Sequence, residues 1–389
     1  MPSTCKFRLN NKNGVYYSGQ WVKGVIVLQT TKEKTIRNIC LRILGEAKVH
    51  WSEKNSREKS TGMHEQIANY KGNKTYVDQH VVVYEEEVLP AGTYVFPCRF
   101  RLPKSCPTSC RGKYGHVRYL LQLTVDRPFR YDNVFNRPLT VLKRVDLNLN
   151  PEFKVPLQCE EICSVGCWPC ATGDIIFTLW IPFGAYASGQ ILHYSLKIQN
   201  HSMTDITGYK VEFIECMTFV AQRPEYNEIE TRTTVASQNS DDVCLRLSNR
   251  QFEGEMELPS LPADTEDQGL IRVEHYLQIE MILRGCHSNK TIAVPIFIGN
   301  VPIRESLDRA AEAETTPVQN PPPAYHQSDS SDEESTADRP PPYGDLKPPS
   351  FEEAISRSTL FLDVEANEFS PDDNFQPLYP MYRHVNDKN

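Results

Sequence analysis

The alternation of apolar and polar residues predicts short β-strands along most of the chain. Residues 25–28, 80–84 and 119–125 are rich in β-branched and aromatic side chains and are bounded by Gly, Pro, Asn or Asp. Over 192–199, and again over 273–281, alternate residues are mostly apolar, which is the period of a half-buried strand. Nothing in the N-terminal half resembles a long amphipathic helix. Frequent strands without helices between them predict immunoglobulin-like antiparallel β-sandwiches rather than a parallel sheet.

Two similar stretches indicate that the sandwich is duplicated. Residues 15–20 read VYYSGQ and residues 185–190 read AYASGQ, and a predicted strand follows each of them. Repetition of a whole structural unit is typical of one fold used twice. We therefore predict an all-β chain with an N-terminal sandwich over 1–147, a linker over 148–170 and a C-terminal sandwich over 171–303.

The composition changes after Ile303. Residues 304–389 contain 12 prolines and carry 18 acidic against 7 basic residues, a net charge of −11. Such a segment has too little apolar surface to offset the entropy lost on ordering, so we predict that it is disordered. Because the whole chain has a formal charge of −8, residues 1–303 are left with +3. This surplus lacks the basic stripes of nucleic-acid-binding proteins but is compatible with anionic lipids or phosphorylated partners.

The tail contains two Pro-Pro-x-Tyr motifs. Proline fixes φ and favours an extended polyproline II ribbon, so such a peptide loses little conformational entropy in the aromatic groove of a WW domain. The composition of the tail gives roughly 0.08 such motifs by chance. We predict WW-domain binding through both motifs, against the alternative of a passive proline-rich linker. The predicted contact residues are Pro322, Pro323, Tyr325, Pro340, Pro341 and Tyr343.

Two further segments resemble this motif without matching it. Residues 348–351 read PPSF, with phenylalanine in place of tyrosine, and residues 376–379 read QPLY, without the first proline. Neither is predicted as a WW-binding site.

Three serines between the motifs are candidate phosphorylation sites. Ser330, Ser331 and Ser335 each have an acidic residue three positions further on, the pattern that acidophilic kinases prefer. A phosphate on each would add up to about −2 of charge. The alternative is that the cluster is only a solubilising acidic spacer.

The sequence lacks the usual catalytic motifs. Residues 64–68 begin like a zinc-protease helix, but Ala68 stands where the second histidine would be required. There is no Gly-x-Ser-x-Gly, no Walker loop and no Gly-x-Gly-x-x-Gly. We predict that the protein is not an enzyme and needs no cofactor.

The predicted linker carries four cysteines, which could act as zinc ligands, as redox or lipid-attachment sites, or as inert reduced thiols. Cys167 and Cys170 have a ligand-like spacing. Cys159 and Cys163 are four residues apart, however, and no second Cys-x2-Cys follows. We therefore predict no metal site, with this quartet as the candidate if one exists.

The chain begins without an apolar stretch of signal-peptide length, and no window reaches the roughly 18 apolar residues of a membrane span. We predict a cytosolic protein, in which the 12 cysteines stay reduced.

Several stretches are similar to one known family. Residues 41–51 (LRILGEAKVHW), 113–119 (KYGHVRY), 270–276 (LIRVEHY) and 294–299 (VPIFIG) carry the resemblance, which extends over about 5–303. The chain resembles the α-arrestins, the arrestin-domain-containing proteins. The resemblance implies two β-sandwich arrestin domains that select membrane-protein cargo, and Pro-Pro-x-Tyr motifs that recruit HECT-type ubiquitin ligases with WW domains.

The resemblance also implies a function and a location. We expect an adaptor that promotes cargo ubiquitination, endocytosis and trafficking, and that is recruited from the cytoplasm to the plasma membrane and endosomes. Basic side chains would meet phosphates or acidic tails of the cargo. The candidates are Lys113 and Arg118, with Lys6, Arg8, Lys48 and Arg111 as further ones. The alternative is a signalling scaffold or a redox scaffold that binds thioredoxin through Cys244.

Overall fold

The computed structural model describes residues 3–59, 62–167, 170–265, 269–285, 287–306 and 375–382. The N-terminal strands are β1 (Thr4–Leu9), β2 (Val15–Tyr17), β3 (Trp21–Thr30), β4 (Lys34–Thr35), β5 (Asn38–Lys59), β6 (Gly62–Tyr84), β7 (Val88–Leu89), β8 (Gly92–Arg101), β9 (Cys110–Gly112), β10 (Gly115–Asp126) and β11 (Asn133–Leu142). One sheet has the order β1-β3-β8 and the other the order β2-β11-β10-β5-β6, with β9 beside β10 and a small pair formed by β4 and β7.

The second sandwich continues the chain after two short 3-10 helices at Leu147–Leu149 and Pro151–Lys154. Its strands are β12 (Leu157–Cys167), β13 (Cys170–Ile181), β14 (Ala185–Ala187), β15 (Ile191–Asn200), β16 (Ile206–Ala221), β17 (Asn227–Ser240), β18 (Ser248–Glu257), β19 (Ile271–Leu283), β20 (Lys290–Pro295) and β21 (Phe297–Gly299). The sheets have the orders β12-β13-β15-β18 and β17-β16-β19-β20, and β14 pairs with β21.

Alternating burial explains why these segments form strands. Along β15 the side chains of Leu192, Tyr194, Leu196 and Ile198 are buried, while His193, Ser195 and Lys197 between them are exposed or half-buried. Burying each large aliphatic side chain stabilises the fold by about 1.5–3 kcal/mol. The all-β fold of two antiparallel sandwiches, predicted from this period, is confirmed.

The repeated stretch has the same structure in both sandwiches. β2 lies parallel to β11 and β14 lies parallel to β21. The turn after each short strand also repeats, because Tyr17 N donates to Gln20 Oε1 at 2.9 Å and Ala187 N donates to Gln190 Oε1 at 2.7 Å. The predicted duplication is therefore visible in the hydrogen bonds of the two turns.

The predicted linker over 148–170 is too long. β12 begins at Leu157 and pairs with β13 along its whole length, so these residues form the first hairpin of the C-terminal sandwich. The inward side chains of Leu157, Cys159 and Cys163 pack against the hydrophobic core of the C-terminal sandwich. This packing holds the strand in place.

The two sandwiches pack directly against each other. The first hydrophobic core includes Phe219 and Ile271 of the second sandwich beside Val49 and Trp51 of the first. At Gly112 the approach is so close that an added Cβ would lie 2.5 Å from the ring of Phe219. Beside this contact, Ser109 and Thr140 of the first sandwich and Ser188, Ser260 and Asn300 of the second line what is called the groove below.

Residues 375–382, called the docked segment below, depart from the disorder predicted for 304–389. Their main chain and two tyrosine hydroxyls form hydrogen bonds to both sandwiches. The rest of the predicted disordered tail lies outside the described residues, apart from residues 304–306 at its start.

Candidate functional site

The predicted WW-binding motifs lie outside the described residues, because the described chain stops at 306 and resumes at 375. The same holds for the candidate phosphorylation sites Ser330, Ser331 and Ser335. No helix within the described ranges is long and apolar enough to cross a membrane. The structure bears instead on the cargo-binding candidates, the cysteines and the surface between the sandwiches.

Arg118 is held by an acidic residue on the neighbouring strand. It lies on β10 directly opposite Glu46 on β5, and its Nη2 is 3.1 Å from Glu46 Oε1. Lys48 Nζ contacts the same oxygen at 2.7 Å. Burial alone would raise the pKa of Glu46, but the hydrogen bonds and charges of Lys48 and Arg118 outweigh it and lower that pKa. Two of the basic candidates therefore share one carboxylate, and together they leave one uncompensated positive charge.

Lys113 lies elsewhere. It is in the turn between β9 and β10, where it is exposed and its Nζ is 5.0 Å from the centre of the Tyr114 ring. The structure does not bring Lys113 and Arg118 into one cluster. Among the further candidates, Lys6 and Arg8 are exposed on β1, and Arg111 Nη1 donates to the carbonyl oxygen of Phe375 at 3.4 Å.

Arg118 lines a wide, open basin of about 1260 Å³ on the outer face of the N-terminal sandwich. The basic residues around it are Arg37, Lys48, Arg118, Arg127 and Arg130, and the acidic residues are Glu46, Asp126 and Asp132. These side chains therefore give the basin a net charge of +2. Charge-assisted hydrogen bonds from arginine suit phosphate or carboxylate groups, so the charge of the basin favours acidic groups.

The rim of the basin carries two aromatic side chains that the sequence analysis does not single out. Phe129 and Tyr131, in the loop between β10 and β11, are 102% and 90% exposed. Phe129 also has a positive φ of 59°, an uncommon conformation for a residue other than glycine. Exposed aromatics beside arginines are enriched at protein interfaces. The signal in the sequence is the run PFRY at 128–131 between two predicted strands.

A second group of polar side chains lies between the sandwiches. His275 is buried, its Nδ1 is 2.5 Å from Asp264 Oδ1, and its Nε2 is 3.9 Å from Glu215 Oε2. Burial raises the pKa of both Asp264 and Glu215, although the hydrogen bond and charge of His275 on Asp264 and its charge on Glu215 oppose the rise. In the sequence His275 occupies an inward position of a strand, where an apolar residue is usual. Its position therefore does not predict a polar cluster.

Comparison with known proteins identifies the family. A family model of the N-terminal domain of arrestin (or S-antigen) matches residues 5–148, and one of the C-terminal domain matches residues 171–303. The chain belongs to the α-arrestin family. Proteins of this family are typically non-enzymatic adaptors, and an adaptor role in general follows for this α-arrestin.

Its relatives are similar over most of the two sandwiches. Arrestin domain-containing protein 17 of Caenorhabditis elegans is 26% identical over 301 residues, covering 75% of this chain and 69% of the relative. Arrestin domain-containing protein 4 of Homo sapiens is 24% identical over 391 residues, covering 95% of this chain and 89% of the relative. Arrestin domain-containing protein 1 of Mus musculus is 24% identical over 235 residues, covering 60% of this chain and 52% of the relative.

The four cysteines of this α-arrestin lie along one β-hairpin rather than around one point. Cys159 and Cys167 are eight residues apart on β12, which corresponds to roughly 26 Å along a strand. Four ligands of one tetrahedral zinc must lie within a few ångströms of the ion. The backbone of β12 therefore separates the first and third cysteines of the predicted quartet by more than one tetrahedral zinc site spans. Within the described ranges no three His, Cys, Asp or Glu side chains are grouped to bind a metal.

Cys244, the residue of the redox alternative, is buried. Its exposed fraction is 0%, and it packs in the core of the second sandwich. Desolvation raises the pKa of its thiol, although the hydrogen bond to Ser248 opposes the rise. Thiol exchange requires an accessible thiolate. The burial of Cys244 therefore disfavours disulfide exchange with a partner.

Proposed function

We propose that this α-arrestin links membrane-protein cargo to WW-domain-containing HECT-type ubiquitin ligases, and so promotes cargo ubiquitination, endocytosis and trafficking. The observation that carries the proposal is the pair of Pro-Pro-x-Tyr motifs ending at Tyr325 and Tyr343, on a chain whose body is two arrestin domains. The ligase performs the chemistry, and the adaptor supplies proximity.

The position of the motifs supports this division of labour. They lie between Ser306, which accepts a hydrogen bond from Gln190 at 2.9 Å, and the docked segment. Both ends of the intervening 307–374 stretch are therefore attached to the folded body. A ligase bound there stays tethered beside whatever the sandwiches hold.

The basin on the N-terminal sandwich is our candidate surface for cargo. Its excess of basic residues suits an acidic or phosphorylated cytoplasmic segment of a membrane protein, and Phe129 and Tyr131 offer apolar contact beside it. Such cargo requires a cytoplasmic adaptor that is recruited to the plasma membrane and endosomes. Lys113 would contribute at the neighbouring turn rather than within the basin.

The experiment is proximity labelling in cells with the full chain fused to a labelling enzyme. The wild type should label one or more WW-domain ligases and membrane proteins. The Tyr325→Ala, Tyr343→Ala double variant should lose the ligases and retain the membrane proteins. Retention of the ligases by the double variant would refute the proposal.

A matched control uses the near-motif. Phe351→Ala alters the PPSF segment, which lacks the tyrosine hydroxyl and is not predicted to bind. It should leave ligase labelling unchanged. A loss of labelling equal to that of the double variant would show that the tail acts through some feature other than the two motifs.

A further inference from the structure

The docked segment contacts the first sandwich through its main chain and one hydroxyl. The hydroxyl of Tyr379 donates to the carbonyl oxygen of Ser109 at 2.9 Å. The amide of Leu378 donates to Thr140 Oγ1 at 3.2 Å. Ser109 and Thr140 are buried polar residues, with exposed fractions of 0% and 2%. Two polar groups of the first sandwich thus accept hydrogen bonds from residues more than 200 positions away in the sequence.

The same segment contacts the second sandwich. The amide of Tyr382 donates to the carbonyl oxygen of Ser188 at 2.8 Å, and its hydroxyl donates to the carbonyl oxygen of Asn300 at 3.0 Å. Ser260 Oγ donates to the carbonyl oxygen of Tyr379 at 3.1 Å. Leu378 thus contacts the first sandwich, Tyr379 contacts both, and Tyr382 contacts the second, so the segment spans both domains.

The backbone of the second sandwich fits the docked segment closely. Gly189 has a φ of +86°, and a Cβ added there would lie 2.1 Å from the carbonyl oxygen of Tyr382. Gly19, at the equivalent turn of the first sandwich, has the same type of φ, but its nearest neighbour is only the side chain of Lys104. The turn is therefore present in both sandwiches. Of the two copies, the turn of the second sandwich is the one that the docked segment approaches.

The chemistry of the segment suits a reversible ligand. Pro377 and Pro380 restrict the free peptide, which lowers the entropy lost on docking. Burial raises the pKa of Tyr379 well above its ordinary value, and the charges of Cys110 and Glu215 act in the same direction. The hydroxyl therefore stays protonated and donates. Removing a partly buried hydrogen bond of this kind weakens binding by about fivefold.

We propose that the groove between the sandwiches is a peptide-binding site, that its occupant is this chain's own segment 375–382, and that Tyr379 and Tyr382 are its anchors. The segment leaves and re-enters the groove, because hydrogen bonds hold it there. When it leaves, the groove is open to a second peptide with the same pattern of proline and tyrosine.

The test uses the full chain and a fluorescein-labelled peptide with the sequence of residues 375–382. In the wild type the groove is filled from within, at an effective concentration on the order of millimolar. The Tyr379→Ala, Tyr382→Ala double variant should have an open groove and bind the peptide at least tenfold more tightly than the wild type. A peptide carrying Tyr379→Ala should bind the double variant at least tenfold more weakly than the native peptide.

Hydrogen exchange in the absence of added peptide provides a second readout. The amide of Leu378 should exchange at least tenfold more slowly in the wild type than in the double variant, because Thr140 accepts its hydrogen only in the docked state. Circular dichroism would establish that the double variant remains folded. Failure of the peptide to bind the folded variant at 1 mM, equal binding to both proteins, or an unprotected Leu378 amide in the wild type would each overturn the proposal.

Discussion

The hydroxyl of Tyr379 and the carbonyl oxygen of Ser109 are 2.9 Å apart although 270 residues separate them in the sequence. This hydrogen bond and those of Tyr382 join the C-terminal end of the chain to both arrestin domains. The tail of this α-arrestin is therefore attached to the body at both ends, and the segment with the two Pro-Pro-x-Tyr motifs lies between the attachments.

Replacing Tyr379 should weaken the folded state. Tyr379→Ala should lower the free energy of unfolding by about 1–3 kcal/mol, because it removes the hydrogen bond from the Tyr379 hydroxyl to Ser109. Urea denaturation of the full chain measures the change. Tyr325→Ala is the control and should leave the midpoint unchanged. Equal midpoints for wild type and Tyr379→Ala would show that the docked segment contributes nothing to stability.

Glu46 should stabilise the N-terminal sandwich in a pH-dependent way. Its folded-state pKa is lowered from the ordinary value of 4.5, so its ion pairs stabilise the fold above that pH. The stabilisation is lost as the pH falls through the folded-state pKa. Glu46→Gln should therefore cost about 1–2 kcal/mol at pH 7 and much less in acid, because the wild-type carboxylate is then protonated.

The control for Glu46 is an exposed ion pair in the same sheet. Asp78 pairs with Arg42 at 2.7 Å, but both side chains are about 40% exposed. Asp78→Asn should therefore cost less than about 1 kcal/mol. Chemical denaturation of both variants at two pH values makes the comparison. A pH-independent cost for Glu46→Gln would contradict the assignment of its charge.

The close packing of the two domains should make Gly112 sensitive to substitution. A Cβ there would lie 2.5 Å from the Phe219 ring and 2.6 Å from the sulfur of Met217. Gly112→Ala should destabilise the protein by about 1–3 kcal/mol, the usual cost of overpacking. Gly92→Ala is the matched control, because its nearest neighbour is the Tyr94 ring at 3.8 Å. Similar melting temperatures for the two variants would mean that the interface rearranges to accommodate the added methyl group at little cost in stability.

Cys244 should be unreactive in the native protein. It is fully buried, and desolvation raises the pKa of its thiol. Mass-spectrometric mapping after brief iodoacetamide treatment should find Cys40, which is partly exposed, labelled and Cys244 unlabelled. Both should be labelled in denaturant. Labelling of Cys244 in the native protein at the same rate as Cys40 would support the alternative of a redox scaffold that binds thioredoxin through Cys244.

The sequence predicts the sandwiches well because their signal is local. In β15 and β19 the inward residues alternate with outward ones over a single strand, so the period is visible without knowledge of the partner strand. The duplicated turn is visible for the same reason, since six consecutive residues carry it. The predicted linker at 148–170 is wrong over β12, where exposed Ile162 interrupts the alternation and the cysteines resemble ligands.

The site between the domains has no local signal. Its parts come from Ser109, Thr140, Ser188 and Asn300, and several of them contribute only a backbone carbonyl oxygen. Residues 376–379 resemble an incomplete WW motif, and composition alone places them in a disordered tail. Charge alone makes Arg118 a cargo candidate, but the sequence does not show that Glu46 lies opposite it.

Binding of purified full-length protein to the tandem WW domains of a HECT-type ligase, measured by calorimetry, tests the central claim most directly. The two tyrosines are 18 residues apart, a stretch that can extend to about 60 Å, so both motifs can reach two WW domains at once. Tethering should raise the affinity on the order of 10²-fold over a single motif. We predict that Tyr325→Ala and Tyr343→Ala each weaken binding substantially, and that the double variant binds too weakly to measure while keeping the wild-type melting temperature. Wild-type affinity in the double variant would contradict the account.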